Sequence, residues 1–241
     1  MMNDTLIDYQ ALDRARISRG ISADDRYWLA VQGLDVRIKN AKSIFDVGCG
    51  MGNFGAFLRR ELSFSGRLVG ADIHRYEPFP TGVYDHWHSW NLNDPQGAPE
   101  ETFDVIFVVE TLHSAESPRQ ALKSLVKRLC PGGTIAFVTA NPLSVISIAT
   151  LVSRGMFRDF QDDPDGLRYP AQLTPILPLD AIRMLKESGL VESRIDFSNR
   201  LRWPGRPTFL QDALPFFRGR WFSDCYRARA MSALQGDKGA E

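Results

Sequence analysis

The strongest constraint on what this chain can fold into is the stretch Ser43-Ile-Phe-Asp-Val-Gly-Cys-Gly-Met-Gly-Asn-Phe-Gly55. A short apolar, β-prone segment (Ile44, Phe45, Val47) runs into four glycines and then into a helical pattern from about Asn53 to Leu62. That order predicts a strand, a tight turn and a helix start. Glycine is needed where the backbone turns with positive φ, or where a ligand must approach without a Cβ in between. In an open α/β sheet such a turn lies at the carboxyl edge of its strand, where ligands bind. The stretch therefore reads as a nucleotide-cofactor loop.

Glycine alone leaves the cofactor open. Gly50-x-Gly52-x-x-Gly55 satisfies the dinucleotide fingerprint, a weak match by itself. Asp46 discriminates. A dinucleotide site holds a pyrophosphate on the turn and the helix N-terminus, and a carboxylate two residues before the first glycine would face that anion in a poorly screened crevice. A cofactor with a sulfonium and an ammonium group suits the carboxylate better.

Asp46-x-Gly48-x-Gly50-x-Gly52 resembles the first motif of the class I S-adenosylmethionine-dependent methyltransferases, and the resemblance extends over about residues 40 to 197. It implies a Rossmann-like α/β fold: a seven-stranded, mostly parallel sheet with an antiparallel final strand and helices on both faces. It also implies a cofactor site built from Asp46, Gly48, Cys49, Gly50 and Gly52. Asp72 ends the apolar run Arg67-Leu-Val-Gly-Ala-Asp, where an acid accepts hydrogen bonds from a ribose diol, with Ile73 following. Asn91-Leu92 stands where the family carries a polar and then an apolar residue against the adenine; Asn replaces the commoner Asp but keeps an acceptor. Leu129-Cys-Pro-Gly-Gly-Thr resembles the family's Leu-x-Pro-Gly-Gly turn, read as a helix stop.

Phe103-Asp-Val-Ile-Phe-Val-Val109 is a nearly continuous apolar run, as a strand covered on both faces should be. Ser117-Pro-Arg-Gln120 then predicts a helix starting at Pro118, by its cap, its first-turn proline and the glutamine three residues on. Glu110 and His113 fall in the loop between, at the carboxyl edge. Methyl transfer to a hydroxyl needs proximity and a general base. His113 is the first candidate base by its near-neutral reference pKa, and Glu110 the group that contacts the cofactor or orients it. His86 and His88 alternate on one strand face with no third ligand nearby and are read as structural, with no metal site.

The chain of 241 residues has room for one α/β domain, residues 1–241. Its parts are a leading helical segment (1–40, with a helix over Ala23 to Val36), a cofactor-binding core (41–140), a lid insertion (141–178) and a C-terminal helix with an antiparallel strand pair (179–232). Tyr27 or Trp28 of the leading helix either lines the site or packs on the sheet edge. Equal numbers of acids and bases, 29 each, give no general drive toward nucleic acid. Three scattered cysteines and an N-terminus without a basic and apolar leader fit a cytoplasmic protein.

The arginines and aromatics of 198–222 pack on the last strand, contact a second subunit, or meet an anionic substrate or membrane surface. The expected activity is methylation of a small molecule or sugar, at an oxygen or alternatively a nitrogen. The rivals are a nicotinamide-dependent oxidoreductase and a methyltransferase-like partner protein without turnover.

Overall fold

The apolar run at Phe103–Val109 is the middle strand of a seven-stranded sheet in the computed structural model of the chain. The structure describes residues 24–75, 79, 81–160, 172–199 and 218–234. In chain order the strands are β1 (Ser43–Val47), β2 (Arg67–Asp72), β3 (His86–Ser89), β4 (Phe103–Val109), β5 (Leu129–Ala140), β6 (Val191–Phe197) and β7 (Cys225–Met231). Across the sheet their order is β3-β2-β1-β4-β5-β7-β6. The first five are parallel, and β7 runs antiparallel between β5 and β6.

Helices α1 (Asp24–Val31), α2 (Asp35–Asn40) and α3 (Asn53–Glu61) pack on one face of the sheet. Helices α4 (Pro118–Val126) and α6 (Pro178–Glu187) pack on the other. Between them in sequence, α5 (Val145–Arg154) follows β5. The alternation of strand side chains explains the two layers: on β4, Val105, Phe107 and Val109 join the α1–α3 layer, while Phe103, Ile106 and Val108 join the α4–α6 layer. Fully burying one such phenylalanine stabilises the fold by about 2 kcal/mol. On β1, Ile44 faces α3 and Phe45 and Val47 face the other way, so the register turns Asp46 toward α3.

Three expectations are corrected in detail. The leading helix is not continuous from Ala23 to Val36: Gly33, with φ +67°, separates α1 from α2, and the buried Arg227 donates to the carbonyls of Ala30 (3.1 Å) and Gln32 (2.6 Å) at the end of α1. The helix begun at Pro118, with the Ser117 hydroxyl accepting from the Gln120 N–H, ends at Val126 rather than Leu129. Leu129 already pairs with Phe103, and Pro131-Gly132-Gly133 forms a bulge inside β5 before Thr134 pairs with Val105, Gly132 taking φ +76°. The last strand, which the sequence pattern places over Phe222 to Met231, begins at Cys225, after a 3₁₀ turn over Arg220–Phe222.

The segment after β5 contains α5, capped by Ser144 and closed by Gly155 at φ +76°. It returns at residues 172–177, where the N–H groups of Leu173 and Thr174 donate to the carbonyl of His113. Residues 161–171 of the expected lid and 200–217 of the arginine and aromatic segment lie outside the described residues. No helix among the described residues is long and apolar enough to cross a membrane.

Candidate active site at the carboxyl edge of the sheet

β1 connects through α3 to β2 on one side, while β4 pairs with it on the other. The chain thus reverses its direction of winding at β1, the place where an open α/β sheet has its ligand crevice, outside the carboxyl ends of the strands. The glycine turn lies at this edge, between β1 and α3. Gly48, Gly50 and Gly52 have φ of +73°, +52° and +82°, which side chains rarely adopt. At Gly48 space adds a second reason, because a Cβ would lie 2.0 Å from Thr111 Oγ1; at Gly50 a Cβ would meet nothing within 4 Å, so the loop is open toward the crevice. The N–H groups of Gly48 and Cys49 both donate to the Ala71 carbonyl, at 2.7 and 3.0 Å, tying the turn to β2.

Two carboxylates flank this turn. Asp72, at the end of β2, accepts from the Gly50 N–H at 2.8 Å through Oδ2, and burial raises it above the usual carboxylate range. Asp46 is fully enclosed, 1% exposed, and burial pushes it up to about 7, with a hydrogen bond from Tyr84 opposing and the charge of Asp72 adding to the rise. The Tyr84 hydroxyl donates to Asp46 Oδ2 at 2.5 Å. Ile73 follows Asp72 half exposed. On the adjoining strand end, Trp90 N–H donates to the Asp72 carbonyl, Leu92 is buried, and the Asn91 side chain accepts from the Asn93 N–H at 2.9 Å within its own turn. The predicted cofactor residues therefore converge, although the Asn91 oxygen is already engaged locally.

Beyond β4 lies a second group. Glu110 takes φ +56°, a strained conformation for a side-chain-bearing residue, while its N–H stays paired to the Val138 carbonyl. Its Oε2 lies 2.8 Å from Arg26 Nε, and Oε1 is buried without a hydrogen-bond partner among the described residues. Arg26 reaches from α1, and its Nη2 also lies 3.9 Å from Oδ2 of Asp224, the residue before β7. His113 sits in a 3₁₀ turn, Leu112–Ser114, 1% exposed, with Nδ1 at 2.9 Å from Thr139 Oγ1 and its ring edge-on to Phe160. Burial holds its pKa below the ordinary value, against the Glu110 charge that raises it.

The sequence reading passed over Arg26, Tyr84, Thr139 and Asp224. Their neighbours in sequence carry no motif, and only the fold brings them to this edge. Tyr27 packs against Phe54 and Phe57 in the α3 layer instead of lining the crevice, and Trp28 is half exposed beside Phe57. His86 and His88 lie on edge strand β3 with their rings 4.3 Å apart, and His88 Nε2 is 3.5 Å from Glu101. Among the described residues no group of three His, Cys, Asp or Glu could hold a metal ion.

Comparison with known proteins agrees with this geometry. A family model described as a methyltransferase domain matches residues 26–200. A ubiquinone biosynthesis O-methyltransferase of Hydrogenovibrio crunogenus is 29% identical over 108 residues, covering 42% of this chain and 43% of that protein. The protein of that name from Vibrio parahaemolyticus is 23% identical over 158 residues, 64% of this chain and 66% of the other. The match thus spans less than half the length of the first of these relatives.

Among solved structures, a SAM-dependent methyltransferase from Archaeoglobus fulgidus superposes with a TM-score of 0.57 at 15% identity, covering 93% of this chain and all of the other. An S-adenosylmethionine-dependent methyltransferase from Mesorhizobium loti gives 0.55 at 14%, covering 86% and 97%. At such identities the likeness is one of fold.

Proposed function

This chain belongs to the methyltransferase domain family, and we propose that it transfers a methyl group from S-adenosylmethionine to a hydroxyl oxygen of a small-molecule or sugar acceptor. The observation that carries this reading is the pair of carboxylates, Asp46 and Asp72, on either side of the open glycine turn. Asp72 suits the ribose of any adenosine cofactor, whereas Asp46 suits a cationic one and would repel a pyrophosphate, which argues against the nicotinamide alternative. The O-methyltransferase names of the relatives support oxygen as the acceptor atom.

When bound, the cofactor supplies a methyl group already activated on a sulfonium. The chain's own residues bind, align and handle the proton. Asp72 offers carboxylate oxygens to a ribose diol, Asp46 balances positive charge, Gly48 to Gly52 leave room for close approach, and Ile73, Asn91 and Leu92 border the adenine. Glu110 lies beside the reacting group and presents Oε1 to a donor. Burial favours neutral His113, and in the tautomer whose Nδ1–H donates to Thr139 Oγ1 the free Nε2 takes the acceptor's proton.

In this reading residues 1–40 cover the site, 41–140 hold the cofactor, 141–178 form a lid and 179–232 complete the sheet in one cytoplasmic domain. Partners through 198–222, whether a second subunit or a membrane surface, remain alternatives to acceptor contact.

The test is calorimetry with S-adenosylmethionine and with NADPH, followed by label transfer to a panel of hydroxylated acceptors. Binding of S-adenosylmethionine with transfer to a hydroxyl is expected. Binding of NADPH alone would reverse the assignment, and cofactor binding with neither transfer nor slow cofactor breakdown would leave a non-catalytic protein.

A further inference from the structure

Tyr84 belongs to no strand or helix, yet its hydroxyl reaches the most enclosed carboxylate of the cofactor loop. The approach depends on two glycines. A Cβ on Gly55 of α3 would lie 2.5 Å from the Tyr84 ring and hydroxyl, and one on Gly70 of β2 would lie 3.0 Å from the ring. Helix, strand and phenol therefore form a slot that brings the Tyr84 hydroxyl onto Asp46 Oδ2. Gly55, read from sequence as the third position of a fingerprint, serves this slot instead of a pyrophosphate.

We propose that Tyr84 is a positioning residue for the cofactor: its hydroxyl holds the Asp46 carboxylate in place beside the glycine turn and favours its ionised form, so that binding of a cationic ligand is coupled to release of the proton that Asp46 otherwise carries. This rests on the reading of the site as one for S-adenosylmethionine. Among the described residues the groups that act electrostatically on Asp46 are Tyr84 itself, Asp72 from β2 and, within the turn, Cys49, which feels the Asp46 charge; none of them is cationic. A buried carboxylate with no cation beside it tends to take up a proton. A lysine or arginine in the slot would keep Asp46 charged but cancel its attraction for the ligand.

A phenol does neither. Burial and the nearby Asp46 charge push its own ionisation well above the ordinary value, so it remains a neutral donor at every working pH. The negative charge on Asp46 is stabilised by one hydrogen bond and remains available. A ligand's positive charge then completes the neutralisation and displaces the proton that a fraction of the free protein carries near pH 7.

The experiment is titration calorimetry of the full chain with S-adenosylmethionine at pH 6 to 8.5, in two buffers of different ionisation enthalpy. For the unaltered protein the affinity is expected to rise about tenfold from pH 6 to 8, with proton release near pH 6.5 that fades by pH 8.5. Tyr84→Phe is expected to move the midpoint up by about one pH unit, weakening binding severalfold at pH 7 and much less at pH 8.5. Equal weakening at every pH would reduce Tyr84 to packing and overturn the proposal. So would flat affinity without proton release in the unaltered protein, a measurement that decides the matter even where Tyr84→Phe does not fold. Failure to bind S-adenosylmethionine at any pH would overturn the functional reading itself, and the coupling with it.

Discussion

Arg26 Nε lies 2.8 Å from Glu110 Oε2, joining the leading helix α1 to the end of the central strand β4 across the candidate site. Both side chains are largely enclosed, 14% and 17% exposed, so Glu110 depends on Arg26 for compensation, and Arg26 on Glu110 with the more distant Asp224. Arg26→Ala is expected to destabilise the protein by about 2 kcal/mol, read as a fall of roughly 5 °C in Tm. Adding Glu110→Gln should recover part of the loss, because the stranded carboxylate is then neutral. A double variant no more stable than Arg26→Ala would show that the pair is not coupled.

His113→Ala is expected to lower kcat by about a hundredfold while leaving S-adenosylmethionine affinity within a factor of two. Because burial holds the His113 pKa below its ordinary value, the base is already neutral above about pH 6.5. At saturating cofactor, kcat should be level from pH 6.5 to 8 and fall only on the acid side. The sign for stability is the same: charging the buried imidazole is penalised, so the folded state loses stability as pH falls below that point. A kcat that climbs steeply between pH 7 and 8 would remove His113 as the base.

Asp46→Asn should separate stability from function. The carboxylate, raised to about 7 in the folded chain, contributes stability that is present below about pH 4 and lost as pH rises toward 7. At pH 8 the unliganded protein carries that cost, and the neutral amide removes it. The variant is expected to melt several degrees higher than the parent at pH 8 while binding the cofactor at least tenfold more weakly. Tighter binding would contradict the role given to the charge.

Gly48→Ala and Gly50→Ala share a positive φ but differ in surroundings. At Gly48 the new methyl meets Thr111 at 2.0 Å, whereas at Gly50 it meets open space. Gly50→Ala should cost about 1 kcal/mol of backbone strain. Gly48→Ala should cost about 3 kcal/mol, as the turn or the β4 loop must shift. Equal melting temperatures for the two would show that the Thr111 contact is not maintained.

The glycine turn after Asp46, the strand end at Asp72 and the apolar run at Phe103–Val109 were legible without coordinates, because unbroken apolar runs and glycine turn chemistry are local properties of the chain. From them followed the parallel sheet, the cofactor edge and the loop carrying Glu110 and His113. Helix ends were less legible: Leu129 continues the helical pattern but pairs with Phe103, since a strand register is satisfied by a partner distant in sequence. The same is true of the contacts that tune the site. Tyr84 reaches Asp46 across 38 positions and Arg227 reaches Ala30 across 197, and neither pairing leaves a periodic trace. The sequence by itself determined the fold class and the kind of loop that could receive an adenosine cofactor. Only the tertiary structure decided that Asp46 is buried against a phenol, that Glu110 is held by the leading helix and that His113 is enclosed, because burial and long-range pairing exist only once the layers have closed.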